Sequence, residues 1–458
     1  MGTLRTRGIV ALVVCAMVTA ACGDASTESG EPTDETTTTT TEATVDDDPP
    51  IVSGDEPAED DPPVEVERIA SDRGVTADQI MIGVAPTDNE GLNDLFNLGY
   101  GTVPVDQMHE AWAAAVNEAG GINGREVVPV VVPVISIGQF ADEACIALTE
   151  DEEVFVVTGA FSADGWLCIT EGAGIPYIGH FGETPDRQER SGGLMFAAEM
   201  SQVEMRTAAV QMMVDEGAFD GRRVGLWWEA QDESYEVAVR PLLDAGGVDI
   251  VADAALDDFG TDVIEIENTL RFTLERFRDA EVEIILNLSD VQSLLTVVDD
   301  LGLDVDIALV SGRAANGPRI AEIETTTDVK ARSFAITFEK PGFDGWIVDE
   351  GFQNCLAIYD ERFPDDPIDL DDAESRRQFG EQCQGWELTM RLLEAAGPNP
   401  TVESFVTGGE GLGAFSLPGM PDAFLRPDKH SAGNELRRYE YDAEADTLLP
   451  VGDPIPLG

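Results

Sequence analysis

Cysteine and histidine are the residues of this chain with the widest chemical range, as nucleophiles, metal ligands and disulfide partners. The 458 residues include six cysteines and three histidines. His109, His180 and His430 lie far apart in the sequence, and no CxxC pair accompanies them. Structural zinc sites need closely spaced ligands, so neither a metal nor another cofactor is predicted. The chain also lacks GxSxG, GxxxxGK[ST] and HExxH motifs, which argues against an enzyme.

The N-terminus combines a basic end with a short apolar stretch and a cysteine. Arg5 and Arg7 precede the apolar residues 9–18, and small residues from Thr19 onward lead to Cys22. This layout predicts an export signal at 1–22, because about 20 apolar residues would be needed to span a bilayer. Cys22 resembles the cysteine of a bacterial lipobox, whose sulfur receives a diacylglycerol, although Thr19 stands where leucine is usual. Ordinary secretion, with Cys22 incidental, is the alternative.

Residues 23–67 form a distinct segment that is rich in threonine, proline, aspartate and glutamate. Few of its side chains are apolar, so burial cannot offset the entropy of ordering it, and we predict a disordered stalk. A flexible segment of this length has an end-to-end distance of about 35–40 Å, which would hold a folded body away from a membrane.

The charge of the chain limits its partners. The formal net charge is −63, from 27 Lys and Arg against 90 Asp and Glu. So strong an anionic surface repels nucleic acid and anionic lipid. We interpret the excess as a means of solubility, with cation binding as the alternative. The acidic residues 365–374 lack the ligand spacing of a calcium loop and are predicted to form a solvated loop.

Four cysteines remain beyond the signal region: Cys145, Cys168, Cys355 and Cys383. An even number in an exported chain favours disulfides over metal ligation. Four cysteines allow three pairings, and the residues alone do not choose among them.

The rest of the chain alternates between two patterns. Continuous β-branched or apolar runs predict buried strands, and apolar residues at helical spacing predict helices. Predicted strands are 80–85, 127–134, 154–158, 175–178, 223–228, 248–255, 284–287 and 307–310. Predicted helices are 107–119, 141–149, 203–216, 236–245, 265–279 and 291–301. Two such series in tandem predict two α/β lobes with parallel sheets, whereas the glycine-rich residues 408–413 are predicted to be a loop.

Residues 115–125, AVNEAGGINGR, carry a family resemblance. Placed between a helix and a β-rich run, this stretch resembles the opening of type I periplasmic binding proteins. The nearest branch is the receptors of branched-chain amino-acid and amide ABC importers. Weaker matches at 144–145, 154–157, 174–178 and 429–434 follow in the expected order, so the resemblance covers most of 74–458. Its glycines would serve a helix end and a tight turn rather than a ligand.

The resemblance implies a fold and a disulfide pairing. Two Rossmann-like lobes would be joined by three crossing segments, with a ligand between them. Lobe one would be 75–198 plus 335–430, and lobe two 199–334 plus 431–458. Related receptors carry a disulfide in lobe one that closes a loop of similar length. This implies Cys145–Cys168 and leaves Cys355–Cys383.

The resemblance also implies ligand-binding residues in lobe one, on loops that follow strands. Ser162, Ala163, Gly182 and Thr184 fall at or beside positions where hydroxyls and backbone amides bind a ligand carboxylate. Such donors suit an anion because they need little reorganisation. The alternative is that the two hydroxyls cap helices. His180 is predicted to be structural.

In lobe two, the resemblance implies Tyr235 as an aromatic residue over the ligand and Asp290 at a position where an aromatic contact is common. Arg313 stands where an acidic residue usually pairs with the ligand ammonium. Its planar guanidinium would suit a carboxylate or phosphate instead. The alternative is an arginine directed to solvent.

These features predict a lipid-anchored, extracytoplasmic solute receptor. Its partners would be a small polar or carboxylate-bearing solute and an ABC permease in the membrane, and not nucleic acid. The alternatives are a ligand sensor without a transporter and a lipoprotein hydrolase, which would need a nucleophile and a base.

Overall fold

The computed structural model describes residues 66–96, 102–135, 139–161, 164–229, 235–256, 263–289, 294–310, 325–338 and 344–457. The predicted signal peptide and the predicted stalk up to residue 65 lie outside these ranges. So do the candidate residues Cys22, Ser162, Ala163, Asp290 and Arg313. Every element below belongs to the unit that includes Arg68–Gly458.

Strands and helices alternate along most of the body. The strands are Gln79–Ala85 (β1), Glu126–Val131 (β2), Val156–Gly159 (β3), Tyr177–Phe181 (β4), Met195–Glu199 (β5), Arg223–Glu229 (β6), Asp249–Leu256 (β7), Ile284–Asn287 (β8), Asp306–Leu309 (β9), Ser333–Thr337 (β10), Gly413–Leu417 (β11), Met420–Leu425 (β12), Glu435–Asp442 (β13) and Thr447–Pro456 (β14). The α-helices are Asn89–Phe96 (α1), Val105–Glu118 (α2), Gln139–Ile146 (α3), Pro185–Arg190 (α4), Gln202–Asp215 (α5), Arg240–Ala245 (α6), Val263–Asp279 (α7), Leu294–Asp300 (α8), Thr327–Ala331 (α9), Asp344–Ile347 (α10), Glu350–Arg362 (α11), Ala373–Ala395 (α12) and Val402–Glu410 (α13). Single π-helical turns occupy Ala147–Asp151, Cys168–Gly172 and Tyr235–Val239.

The first sheet has five parallel strands in the order β2-β1-β3-β4-β5. Its central strands are apolar on both faces, and Ile82, Val84, Val156 and Ile178 are fully buried. Helices cover both faces, which explains the continuous apolar runs in the sequence. All four strands predicted in this region are confirmed, with ends shifted by a few residues.

The second sheet has seven strands in the order β14-β13-β10-β9-β8-β6-β7. Strands β6 to β10 are parallel, as predicted for an α/β lobe. The C-terminal strands differ, because β13 pairs antiparallel with β10, and β14 pairs antiparallel with β13. A parallel neighbour needs a crossover connection, whereas β13 and β14 are joined by a short turn that forces them to be antiparallel.

The chain returns to the first sheet after β10. The long helix α12 packs across β3, β4 and β5, and α13 packs on α12. The prediction of a loop at 408–413 was wrong, since α13 continues to Glu410. A Cβ atom on Gly408 would lie 2.5 Å from the carbonyl oxygen of Ala395, and one on Gly409 would lie 2.6 Å from Leu392. These glycines therefore let two helices approach closely.

Three connections pass between the two lobes: from β5 to α5, from β10 to α10, and from β12 to β13, where β12 pairs with β11 in a separate two-stranded sheet. This is the two-lobed arrangement with three crossing segments that the resemblance implied.

Two disulfides lie within the first lobe. Cys145–Cys168 joins the end of α3 to a π-helical turn, and Cys355–Cys383 joins α11 to α12. The Cα atoms are 6.4 Å and 6.2 Å apart, and both pairs are those implied by the resemblance. The acidic residues before α12 form an exposed connection, and the carboxylate of Asp372 caps the helix by accepting from the amide of Ser375 at 2.7 Å.

Candidate ligand-binding site

In open parallel sheets, ligands bind at the loops beyond the carboxyl ends of the strands. The end of β3 rests directly on the end of β1, where the amide of Ala160 donates to the carbonyl oxygen of Ala85 at 2.8 Å. A Cβ atom on Gly159 would lie 2.2 Å from that same oxygen. The contact therefore requires glycine at this position.

Tyr177 connects the end of β3 to β4. Its hydroxyl donates to the carbonyl oxygen of Gly159 at 2.7 Å and accepts from the amide of Phe161 at 3.3 Å. Burial raises the pKa of Tyr177 well above its ordinary value, so the hydroxyl keeps its proton. The ring stacks on Trp166, with centroids 5.6 Å apart and planes 8° from parallel. One residue thus holds the backbone just before Ser162.

Glu183 directly precedes the candidate Thr184. Its carboxylate accepts hydrogen bonds from two side chains, one after β3 and one on α4. The indole nitrogen of Trp166 donates to Oε1 at 3.2 Å, and Nη1 of Arg187 donates to Oε2 at 3.1 Å. Burial raises the pKa of Glu183, and the Arg187 guanidinium works against this shift. Nε of Arg187 also donates to Oδ1 of Asp164 at 2.8 Å. Arg187 therefore links the loop after β4 to the segment that begins at Asp164.

Thr184 caps helix α4. Its hydroxyl oxygen accepts from the amide of Arg187 at 3.5 Å, which is the capping role named as the alternative for this residue. A hydroxyl group has one donor and two acceptor positions. The cap uses an acceptor position, so the hydroxyl proton can still be donated to an anionic group.

The amide of Gly182 is bonded within the fold, and its contact with a ligand stays a prediction. Its N–H donates to the carbonyl oxygen of Glu199 at 2.9 Å. A Cβ atom here would lie 2.7 Å from the amide nitrogen of Ser201 and 2.9 Å from Cβ of Ser431. Gly182 therefore allows the end of β4 to pack against the first and third crossing segments.

Tyr235 lies in the apolar core of the second lobe, and its contact with a ligand stays a prediction. The residue is 1% exposed. Its hydroxyl donates to Oδ2 of Asp253 at 3.1 Å and accepts from Arg240 at 3.0 Å. Its ring lies 4.1 Å from that of Trp228. The predicted helix 236–245 begins here as a π-helical turn, Tyr235–Val239, and continues as α6.

Sequence reasoning missed a group of charges beside His180. Nε2 of His180 lies 3.2 Å from Oε1 of Glu381 on α12 and 3.5 Å from Oε1 of Glu199 at the end of β5. Arg377 donates to Oε2 of Glu381 at 2.6 Å. The Glu374 and Glu381 carboxylates raise the pKa of Arg377 further above its ordinary value, although burial opposes them. These contacts fit the structural role predicted for His180. No local pattern could reveal them, because α12 lies about 200 residues further along the chain.

The described residues contain no group of three or more His, Cys, Asp or Glu side chains placed to hold a metal ion. Within the same ranges, no helix is both long and apolar enough to cross a membrane. Of the predicted ligand residues, the structure places Gly182 and Thr184 on the loop that follows β4. Ser162, Ala163, Asp290 and Arg313 lie outside the described residues.

Two α/β lobes joined by three crossing segments define a two-lobed α/β fold, in which hydrogen bonds tie together the loops beyond the first sheet. A sequence profile described as periplasmic binding protein matches residues 104–446. The chain therefore belongs to the periplasmic binding protein family, whose members bind solutes rather than transform them. A comparison with functionally curated proteins gives no significant match.

Solved structures support the fold. A solute-binding protein of an ABC transporter from R. palustris, in complex with 4-hydroxybenzoate, is similar at 15% identity with a TM-score of 0.60, over 83% of this chain and 98% of that one. A fatty acid ABC transporter substrate-binding protein from Thermomonospora curvata has 16% identity and a TM-score of 0.57, covering 85% and 95%. An ABC transporter substrate-binding protein from Desulfitobacterium hafniense, in complex with Leu, has 14% identity and a TM-score of 0.55, covering 82% and 100%.

Proposed function

We propose that this protein is the extracytoplasmic, lipid-anchored receptor of an ABC importer and binds a small polar or carboxylate-bearing solute between its lobes. The observation that carries the proposal is family membership over residues 104–446, in a fold whose loops beyond β3 and β4 are tied together. Such a fixed arrangement suits a binding protein, because groups that are already in place need little reorganisation.

The ligand class is inferred from both lobes. In lobe one, Thr184 keeps a hydroxyl proton to donate. In lobe two, Arg313 replaces the acidic residue that would pair with an α-ammonium group, and a guanidinium binds a carboxylate through two parallel hydrogen bonds. A similar protein in complex with 4-hydroxybenzoate fits this class. Leucine, isoleucine and valine should therefore bind poorly.

A calorimetric panel tests the proposal. The mature protein is titrated with 4-hydroxybenzoate, 3,4-dihydroxybenzoate, a fatty acid and leucine. We expect one of the first three carboxylates to bind and leucine to bind weakly. Arg313→Ala should lose about 2–5 kcal/mol of binding free energy, because a desolvated charge would lose its partner. Arg313→Glu should regain some affinity for leucine.

The control is Arg271→Ala, which removes an exposed arginine on α7 that pairs with Asp300 at 3.1 Å. This variant should bind as the unmutated protein does. Micromolar binding of leucine by the unmutated protein, or equal binding by Arg313→Ala, would contradict the ligand class.

The anchor and the importer need separate experiments. If Cys22 carries lipid, Cys22→Ser should move the protein from the membrane fraction to the medium. Equal retention of that variant would exclude the lipid anchor. Co-purification of a permease with the ligand-loaded protein would distinguish an importer receptor from a sensor without a transporter.

A further inference from the structure

A continuous set of contacts joins the two loops that follow β3 and β4. It starts at the Tyr177 hydroxyl, which binds the backbone on both sides of Ala160. It continues through the stacked Trp166 ring to the Glu183 carboxylate. Arg187 closes the set by binding both Glu183 and Asp164.

Each contact in this set fixes one loop relative to the other. Tyr177 lies on β4, yet its hydroxyl contacts backbone at the end of β3. Trp166 and Asp164 follow β3, yet they contact Glu183 and Arg187, which follow β4. Neither loop can shift without breaking contacts to the other.

Most of these groups are buried, whereas the Arg187–Asp164 pair that closes the set is partly exposed, with side-chain exposures of 31% and 56%. Tyr177 is 2% exposed and Trp166 fully buried, and the Glu183 side chain is 19% exposed. Buried hydrogen bonds are costly to break, because a separated donor or acceptor loses its partner without gaining water. The set can therefore hold the loops in one arrangement.

We propose that Tyr177 and Arg187 are positioning residues for ligand binding, which act by holding the backbone at Phe161 and Thr184 in a fixed relation. The inference rests on the proposed function and adds two residues that need not touch the ligand. Tyr177 acts through the Phe161 amide, and Arg187 acts through Glu183 and the start of α4.

Tyr177→Phe tests the first residue, because it removes the hydroxyl and keeps the ring that stacks on Trp166. The matched control is Tyr359→Phe. Tyr359 is also buried in the first lobe, and its hydroxyl donates to a backbone carbonyl, that of Asp366, at 2.8 Å. Each variant loses the contacts of one buried hydroxyl, two for Tyr177 and two for Tyr359, so a general loss of stability affects both.

Two measurements are made on each variant. One is affinity for the panel compound that the unmutated protein binds most tightly. The other is the hydrogen-exchange rate of the Phe161 amide without ligand. Tyr177→Phe loses both hydrogen bonds of the hydroxyl, and we expect it to weaken affinity about tenfold and to speed exchange at Phe161. Tyr359→Phe should leave both values unchanged. An unchanged affinity or an unchanged exchange rate in Tyr177→Phe overturns the inference.

Arg187→Lys tests the second residue. If Tyr177→Phe does not fold, this variant tests by itself whether the contact set positions the loops for ligand binding. Lysine keeps the charge but cannot span Glu183 and Asp164 with a planar fork. Its control is Arg190→Lys, since Arg190 pairs with Asp164 and Glu171 but not with Glu183. We expect weaker binding in Arg187→Lys alone, and equal binding in the two variants overturns the role of Arg187.

The outcome also separates this inference from the proposed function. If the unmutated protein binds no panel compound, the proposed ligand class fails. The exchange rate at Phe161 then decides by itself whether Tyr177 holds the loop.

Discussion

Nη2 of Arg125 lies 2.8 Å from Oδ1 of Asn399, a residue 274 positions further along the chain. The same nitrogen donates to the carbonyl oxygen of Ile69 at 2.9 Å, and Nε donates to that of Thr76 at 2.7 Å. Nη1 donates to the carbonyl oxygen of Pro398. The arginine that ends the GINGR stretch is fully buried, and it joins the start of the body to the connection after α12.

Arg125→Lys should therefore destabilise the protein. An ammonium group cannot reach acceptors in so many directions, so buried oxygens would be left without donors. We expect the free energy of unfolding to fall by about 3 kcal/mol, measured by denaturant titration. The exposed Arg271→Lys should change it by less than about 0.5 kcal/mol. Equal stability of the two variants would show that the Arg125 contacts contribute little.

His109 should make stability dependent on pH. It is fully buried between Trp112 and Trp386, and burial lowers its pKa to about 4, although Gln382 opposes the shift. The fold therefore favours the neutral ring. The resulting stability is complete above the ordinary pKa of 6.5 and is lost as pH falls toward 4, by about 3 kcal/mol in total.

The measurement compares unfolding free energies of the unmutated protein and His109→Gln at pH 7, 5.5 and 4.5. Acidic residues titrate in both proteins, so the difference between the two isolates His109. As pH falls, the unfolding free energy of the unmutated protein should decrease relative to that of His109→Gln. A difference that stays constant with pH would contradict the prediction.

The two disulfides should contribute comparable stability. They close loops with sequence separations of 23 and 28 residues, which corresponds to about 3.5 kcal/mol each in the chain-entropy estimate. Each pair is replaced by two alanines, and unfolding is measured under non-reducing conditions. Peptide mapping that joined Cys145 to Cys355 would refute both pairings, and a loss well below 1 kcal/mol would refute the estimate.

Gly182→Ala should disturb the crossing segments. The added methyl group would lie 2.7 Å from the amide nitrogen of Ser201, which is backbone and cannot turn aside. Overpacking of this kind costs about 1–3 kcal/mol. Gly172→Ala is the control, since its nearest neighbour would be the carbonyl oxygen of Leu167 at 3.9 Å. Thermal unfolding should show a lower Tm for Gly182→Ala alone, and equal Tm values would mean that the crossing segments adapt.

Local pattern predicted the elements well, whereas the contacts of the candidate site residues depend on distant partners. Strand β8 lies at the predicted residues, 284–287, because a buried strand needs only a continuous apolar run. The orientation of Tyr235, by contrast, could not be predicted from local pattern, since an aromatic side chain near a strand end can face a ligand or the core. The partners that decide between these positions, Asp253 and Arg240, are not evident from the residues beside Tyr235.

The sequence by itself determined the alternation of strands and helices and the two α/β lobes, because hydrophobic periodicity is local information. Tertiary structure decided which backbone groups are already bonded and which loops are held together. The Gly182 amide and the Tyr177 hydroxyl bind groups from other strands, and Arg125 binds a residue 274 positions away. Such contacts depend on where folding brings distant segments, and the spacing of neighbouring residues does not encode them.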